Sequence, residues 1–152
     1  MNVPATSETA VRDEPRFSPA WNPATVLLAE DDAAMRALLL FALRREGFSV
    51  YECANGVELA RALGLDSDTR RSMNVDVIIA DIRMPYISGL EILEAMQPAS
   101  DWPPMILITA FGDEQTHADA LGMGAADIFD KPLDASHLLR RVRALAPPMP
   151  PH

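Results

Sequence analysis

The stretch Val75-Asp76-Val77-Ile78-Ile79-Ala80-Asp81-Ile82-Arg83-Met84-Pro85 decides how this chain folds. Val77-Ile78-Ile79-Ala80 is apolar without polar alternation, as a parallel strand covered by helices on both faces requires. The run ends abruptly on the carboxylate of Asp81, and Pro85 keeps the strand from continuing. A carboxylate at the carboxyl end of a central parallel strand stands where open α/β sheets bind their ligands. Taken alone, Asp81 reads better as a turn cap. The other strand ends decide against that reading.

Upstream, Thr25-Val26-Leu27-Leu28-Ala29 is a second unalternating strand, ending on Glu30-Asp31-Asp32. Asp32 is the natural N-cap of a helix from Ala33 to about Glu46, closed by Gly47. Phe48 to Glu52 alternates and reads as an edge strand, followed by a short helix from Gly56 to about Leu63. The polar connection from Gly64 to Asn74 is long for an α/β loop and has room for extra helical turns. Downstream, Ser88 and Glu91 form a capping box at the start of a helix that Pro98 ends. Met105 to Ile108 is a strand ending on Thr109-Ala110, and Asp113 starts a helix to about Leu121. Ala126 to Phe129 is the last strand, ending at Asp130-Lys131-Pro132, and Asp134 caps a final helix with Leu138, Val142 and Leu145 toward the sheet.

Five β-α units predict an α/β fold: a doubly wound five-stranded parallel sheet with helices on both faces. The expected strand order is 2-1-3-4-5, with the ligand crevice between the first and third strands. The expected domain runs from 25 to 146. Proline-containing tails flank it at 1–24 and 147–152, and Phe17 and Trp21 are candidates to tack the first tail onto the domain. In the first helix, Met35, Leu38, Leu39, Ala42 and Leu43 follow the spacing of a core stripe. Leu40 and Phe41 fall outside it and form a candidate partner patch.

Bulk composition narrows the function. A chain of 152 residues that is 49% hydrophobic builds a real core. A net charge of −9 and a pI near 4.7 disfavour nucleic acid as the direct partner. Cys53 is the single cysteine, so neither an intrachain disulfide nor a multi-thiolate metal site is available. No signal peptide and no long apolar run is present, so a cytoplasmic, non-membrane protein is expected. Twelve arginines stand against one lysine, Lys131, which suggests a place where a compact ammonium is required.

The expected strand order brings Glu30, Asp31 and Asp81 together. Like charges ~4 Å apart repel by roughly 4 kcal/mol at an effective dielectric of 20, so the cluster calls for a cation or for shifted pKa values. All-oxygen ligands with room for water suit Mg²⁺. Thr109 and Lys131 lie beside them at the next two strand ends. Acids, a metal, a hydroxyl and a lysine together suggest a phosphoryl group, with a carboxylate as the attacking nucleophile.

The same residues carry a family resemblance. Val26 to Asp32, Ile79 to Gly89, Ile106 to Ala110 and Lys131-Pro132 resemble, in order and spacing, the signature blocks of the response-regulator receiver domain, over residues 24 to 146. The resemblance implies a CheY-like, flavodoxin-like fold. Asp81 matches the phospho-acceptor, supplied by a sensor histidine kinase or a histidine phosphotransfer protein. Glu30, Asp31, Asp81 and the backbone carbonyl of Arg83 match the Mg²⁺ ligands. Thr109 matches the switch hydroxyl and Lys131 the lysine that contacts the phosphoryl group, before a cis-proline. The implied role is a signalling switch that controls a protein partner and catalyses only its own phosphorylation and dephosphorylation.

Some positions depart from the family pattern. The usual switch aromatic is replaced by Ile128, and Phe129 next to it points to the other face. Arg83 and Phe111 stand two residues past the acceptor and the threonine, where the family tunes phosphoryl lifetime, and their bulk implies slow hydrolysis. His117 and His137 read as solvated, as does the basic run Arg140-Arg141-Val142-Arg143. Three other functions compete. A pseudo-receiver would bind a protein without phosphorylation. An aspartyl-nucleophile phosphohydrolase needs a second Asp where Arg83 stands. A flavin binder needs a phosphate loop where Glu30-Asp31-Asp32 would repel one. The sequence leaves open a homodimer, the downstream target, and whether the chain is a piece of a longer regulator.

Overall fold

The computed structural model describes residues 23–65 and 74–146. The expectations for the two tails, and for extra turns in most of the Gly64–Asn74 connection, lie outside the described residues. The elements run β1 (Thr25–Ala29), α1 (Ala33–Arg45), β2 (Ser49–Cys53), α2 (Gly56–Leu63), β3 (Val77–Asp81), α3 (Gly89–Ala95), a 3₁₀ turn (Ala99–Asp101), β4 (Met105–Thr109), α4 (Glu114–Gly122), β5 (Asp127–Asp130) and α5 (Ala135–Leu145).

All strand pairs are parallel, and the sheet order is β2-β1-β3-β4-β5. The three central strands β1, β3 and β4 are the apolar, unalternating ones, because both of their faces are covered. Leu27, Ile78, Ala80 and Leu107 point into one core cluster, with α2 and α3; Val26, Leu28, Ile79 and Ile108 point into the other, with α1 and α5. A fully buried Leu or Ile contributes about 1.5–3 kcal/mol relative to exposure, so these strands anchor the domain.

The helices start where polar side chains satisfy their first free N–H groups. Asp32 accepts from the Ala34 and Met35 amides, Asn55 from Glu58, Asp113 from Thr116 and Asp134 from Ser136. At α3 the Ser88–Glu91 capping box is complete in both directions. Gly89 is required there for a second reason. A Cβ at this position would lie 2.6 Å from the Asp81 carbonyl oxygen, so only glycine lets α3 start this close to the end of β3.

Three surface expectations are corrected. Leu38 is 59% exposed, whereas Leu40 packs half-buried against the α1-side core; the outward pair on α1 is therefore Leu38 and Phe41, the latter 65% exposed. The helix settles on the sheet with Leu39 and Leu43 at the centre of contact. At 3.6 residues per turn Leu38 lies about 120° from that centre and Leu40 about 80°. The basic run on α5 is not simply solvated: Arg141 bonds Asp127 and the Ala126 carbonyl, and Arg143 bonds Glu46 at the end of α1. Nor is His117 simply solvated, since it is paired with Asp130; His137 is exposed as expected, with its ring edge-on to Phe129 at 5.2 Å between centroids. Among the described residues, no helix is long and apolar enough to cross a membrane.

Candidate functional site

The parallel register delivers a set of side chains to one end of the sheet. Ala29 pairs with Ala80, Asp81 with Ile108 and Thr109 with Asp130. Glu30 therefore follows β1 at the level of Asp81, and Thr109 and Lys131 sit just beyond on the next strands. The sequence treats Glu30, Asp31 and Asp32 alike, but the fold separates them. Glu30 is 1% exposed, Asp31 is exposed at the rim, and Asp32 is spent on the α1 cap. Asp81 and Thr109 are also buried, at 4% and 2% exposure.

Carboxylate oxygens of Glu30, Asp31 and Asp81 all lie within 4.8 Å of one another. Asp81 Oδ1 accepts from the Arg83 backbone N–H at 2.9 Å, and Oδ2 accepts from Lys131 Nζ at 2.6 Å. The same ammonium is 3.2 Å from Glu30 Oε1. Glu30 Oε2 accepts from the Asp32 amide, but Oε1 has no aligned hydrogen-bond donor. Lys131 supplies that oxygen with charge, not with a hydrogen bond. The Glu30 carbonyl accepts from Arg36, which fixes the turn between β1 and α1.

The electrostatics follow from this packing. Burial pushes Glu30 up to about 7, and the neighbouring Asp81 carboxylate pushes in the same direction; the Asp32 amide and Lys131 oppose them. Lys131 is pulled down by its partial burial, but its hydrogen bond and charge contact with Asp81, helped by Glu30, outweigh this and raise it. Two buried carboxylates thus share a single ammonium, with the exposed Asp31 carboxylate beside them. An orphaned, buried carboxylate oxygen facing two further acids fits a hard divalent cation with an all-oxygen ligand set. In this acidic cleft Mg²⁺ would be held by Glu30, Asp31 and Asp81.

Thr109 closes the other side. Its Oγ1 accepts from the Phe111 amide at 3.1 Å, and its carbonyl accepts from the Lys131 amide at 2.8 Å. The bond from Lys131 to Pro132 is cis. The Arg83 guanidinium stacks on the Phe111 ring, 4.5 Å from its centroid. Each partner of this stack thus donates its backbone N–H to a site side chain, Arg83 to Asp81 and Phe111 to Thr109. Ile128 is buried in the α2–α3 core, and Phe129 packs on the opposite face, as strand alternation requires. Of the expected partner patch, Phe41 is exposed, well apart in the chain from the strand ends, and Leu40 is not.

Sequence reasoning missed two contacts at this end of the sheet, Arg83 on Phe111 and His117 on Asp130. Neither has a local signal, because each pair joins residues of different elements or connections that only the tertiary packing brings together.

Comparison with known proteins agrees with this geometry. The family model for the response regulator receiver domain matches residues 26–143. Response regulator MprA of Mycobacterium sp. (strain KMS) is 33% identical over 123 residues, covering 81% of this chain and 50% of that protein. The alkaline phosphatase synthesis transcriptional regulatory protein SphR of Synechococcus elongatus is 30% identical over 130 residues, covering 84% of this chain and 51% of that one. The chain spans about half the length of these curated relatives. Among solved structures, the receiver domain of the Francisella response regulator 1452 is similar, with a TM-score of 0.72 and 26% identity, over 82% of this chain and 96% of that one. With acids, threonine and lysine at the ends of β1, β3, β4 and β5 in a 2-1-3-4-5 sheet, and a family match spanning the sheet, the chain belongs to the response regulator receiver domain family.

Proposed function

We propose that this receiver takes a phosphoryl group onto Asp81 from a phosphohistidine, on a sensor histidine kinase or a histidine phosphotransfer protein, and that the acyl phosphate changes the protein's hold on a downstream protein. The observation that carries the reading is the buried Asp81 carboxylate, held by Lys131 at 2.6 Å amid two further acids. In the transfer, a carboxylate oxygen of Asp81 forms a bond to phosphorus as the phosphorus–nitrogen bond of the donor breaks, and the electron pair leaves with the imidazole. In the separate hydrolysis step, a water oxygen forms a bond to phosphorus as the phosphorus–oxygen bond to Asp81 breaks; the electron pair stays with the regenerated carboxylate, and inorganic phosphate and a proton depart.

Each residue then has a task. The Arg83 amide orients the Asp81 carboxylate. Lys131 pairs with the added negative charge. Thr109 turns its hydroxyl from the Phe111 amide toward a phosphoryl oxygen. Glu30, Asp31, Asp81 and the carbonyl of Arg83 would hold Mg²⁺, which would supply positive charge to neutralise phosphoryl oxygens. Ile128 occupies the position next to the moving threonine without an aromatic ring to rearrange. The domain spans 25–146 and works in the cytoplasm, with the homodimer as one further state.

The test is intact mass after incubation with acetyl phosphate or phosphoramidate, with and without Mg²⁺, on wild type and Asp81→Asn. A Mg²⁺-dependent, base-labile gain of one phosphoryl group, lost in the variant, is the expected result. No adduct with either donor would make the domain a pseudo-receiver that binds a partner through the same surface.

A further inference from the structure

We propose that the His117–Asp130 pair is a strap that carries a change at the Asp81–Lys131 contact into helix α4. The proposal rests on the reading above only for its natural trigger, the modification of Asp81; the strap itself follows from contacts.

Asp130 is the last residue of β5 and is joined by a peptide bond to Lys131, whose Nζ grips Asp81. Its Oδ1 reaches His117 Nε2 on α4 at 2.9 Å, tying the far end of β5 to the first half of α4, two elements that the chain joins at their other ends through residues 123–126. The carboxylate only accepts, so Nε2 carries the donating hydrogen. Lys131 also donates its amide to the Thr109 carbonyl, and Thr109 pairs in register with Asp130. A displacement of Lys131 therefore pulls directly on Asp130.

The connection from Thr109 to α4 has no slack to absorb such a pull. Gly112 is threaded between the strap and the threonine. A Cβ on it would lie 2.3 Å from Asp130 Oδ1, 2.6 Å from Thr109 Cγ2 and 2.8 Å from His117 Nε2. Helix α4, moreover, is weakly anchored. Ala120 is its one buried residue, against four in α2 and three in α3. A helix with so little buried apolar surface depends on polar tethers for its position, and elements of this kind open at low free-energy cost. The other acid close to His117 is Asp113, the α4 cap, which the histidine helps to hold below the usual carboxylate range after its hydrogen bonds to Thr116. Asp113 binds its own helix end, so it does not compete as a bridge to β5.

Hydrogen–deuterium exchange of peptides covering 114–122 tests this in the full chain. His117→Phe keeps the ring and loses the bond, and Asp130→Ala removes the other partner. Gly112→Ala leaves both in place and wedges them apart. Each raises α4 exchange by about fivefold, the scale of one lost hydrogen bond. The deciding comparison adds Asp81→Asn, which removes the charge Lys131 holds. With the strap intact, Asp81→Asn changes α4 exchange; with the strap cut by any of the three variants, that change disappears. A purely structural pair gives the same Asp81→Asn effect in both backgrounds, and that result, or no effect with the strap intact, overturns the proposal. Acetyl phosphate with Mg²⁺ forms a separate arm. If no adduct forms while the Asp81→Asn pattern holds, phosphorylation falls and the strap stands.

Discussion

Lys131 Nζ lies 2.6 Å from Asp81 Oδ2 and 3.2 Å from Glu30 Oε1, so one ammonium is shared by two buried carboxylates. Removing it strands both. Lys131→Met destabilises the metal-free protein by about 3–5 kcal/mol at pH 8, the cost of breaking a buried pair from one side. Urea unfolding measures it, and Mg²⁺ recovers part of the loss. A cost below about 1 kcal/mol would show that water already solvates the pair.

Glu30 makes stability depend on pH. Its folded value of about 7 lies above the ordinary 4.5, so the folded state binds the proton more tightly than the unfolded state. The stabilisation is fully present below about 4.5 and is lost as pH rises through about 7. At about 1.4 kcal/mol per unit, the loss approaches roughly 3 kcal/mol. Glu30→Gln flattens this part of the profile in denaturant titrations without metal. Because Mg²⁺ must displace the proton, its affinity in calorimetry rises with pH up to about 7 and levels off above it.

Arg83 and Phe111 stack on each other, and their backbone amides bond Asp81 and Thr109. Their bulk beside the acceptor predicts slow hydrolysis of the acyl phosphate, and decay within seconds would contradict it. Arg83→Ala and Phe111→Ala each shorten the lifetime, and the double variant adds little, because either change opens the same stack. The stack itself is worth about 0.5–1 kcal/mol. Additive effects in timed intact-mass decay would show two independent residues.

Tyr86 sits at φ 72° with its side chain 80% exposed, in the connection between β3 and α3. The left-handed region costs an ordinary residue roughly 1–2 kcal/mol, and Asn tolerates it better. Tyr86→Asn therefore raises stability by about 1 kcal/mol, read as a higher Tm.

The α1 surface provides a control for packing. Leu38→Ala and Phe41→Ala change stability by about 0.5 kcal/mol or less, whereas Leu39→Ala costs about 2–5 kcal/mol. A large loss at Leu38 would place it back in the core.

Much of this domain was legible without coordinates. Unalternating runs at 26–29, 77–80 and 105–108 mark central parallel strands because both of their faces must be apolar. Asp32, Ser88, Asp113 and Asp134 mark helix starts because a free N–H needs a nearby acceptor. These are local rules, and the sheet order followed from β-α alternation. The order then placed Glu30, Asp81, Thr109 and Lys131 at one edge, before any family resemblance lent them roles.

What the sequence determined by itself, then, is the set of elements, their order, and which strand ends hold chemistry, since each depends on residues close together in the chain. Tertiary structure alone decided which of two adjacent acids is buried, Glu30 and not Asp31, and which leucine of α1 faces outward, Leu38 and not Leu40. It also decided that Arg83 meets Phe111, that His117 meets Asp130, and that Arg143 reaches Glu46 across 97 residues. The physical reason is common to all of these. The rotation of a helix on its sheet and the meeting of side chains from separate parts of the chain minimise the free energy of the whole packed molecule, and no window of neighbouring residues contains that information.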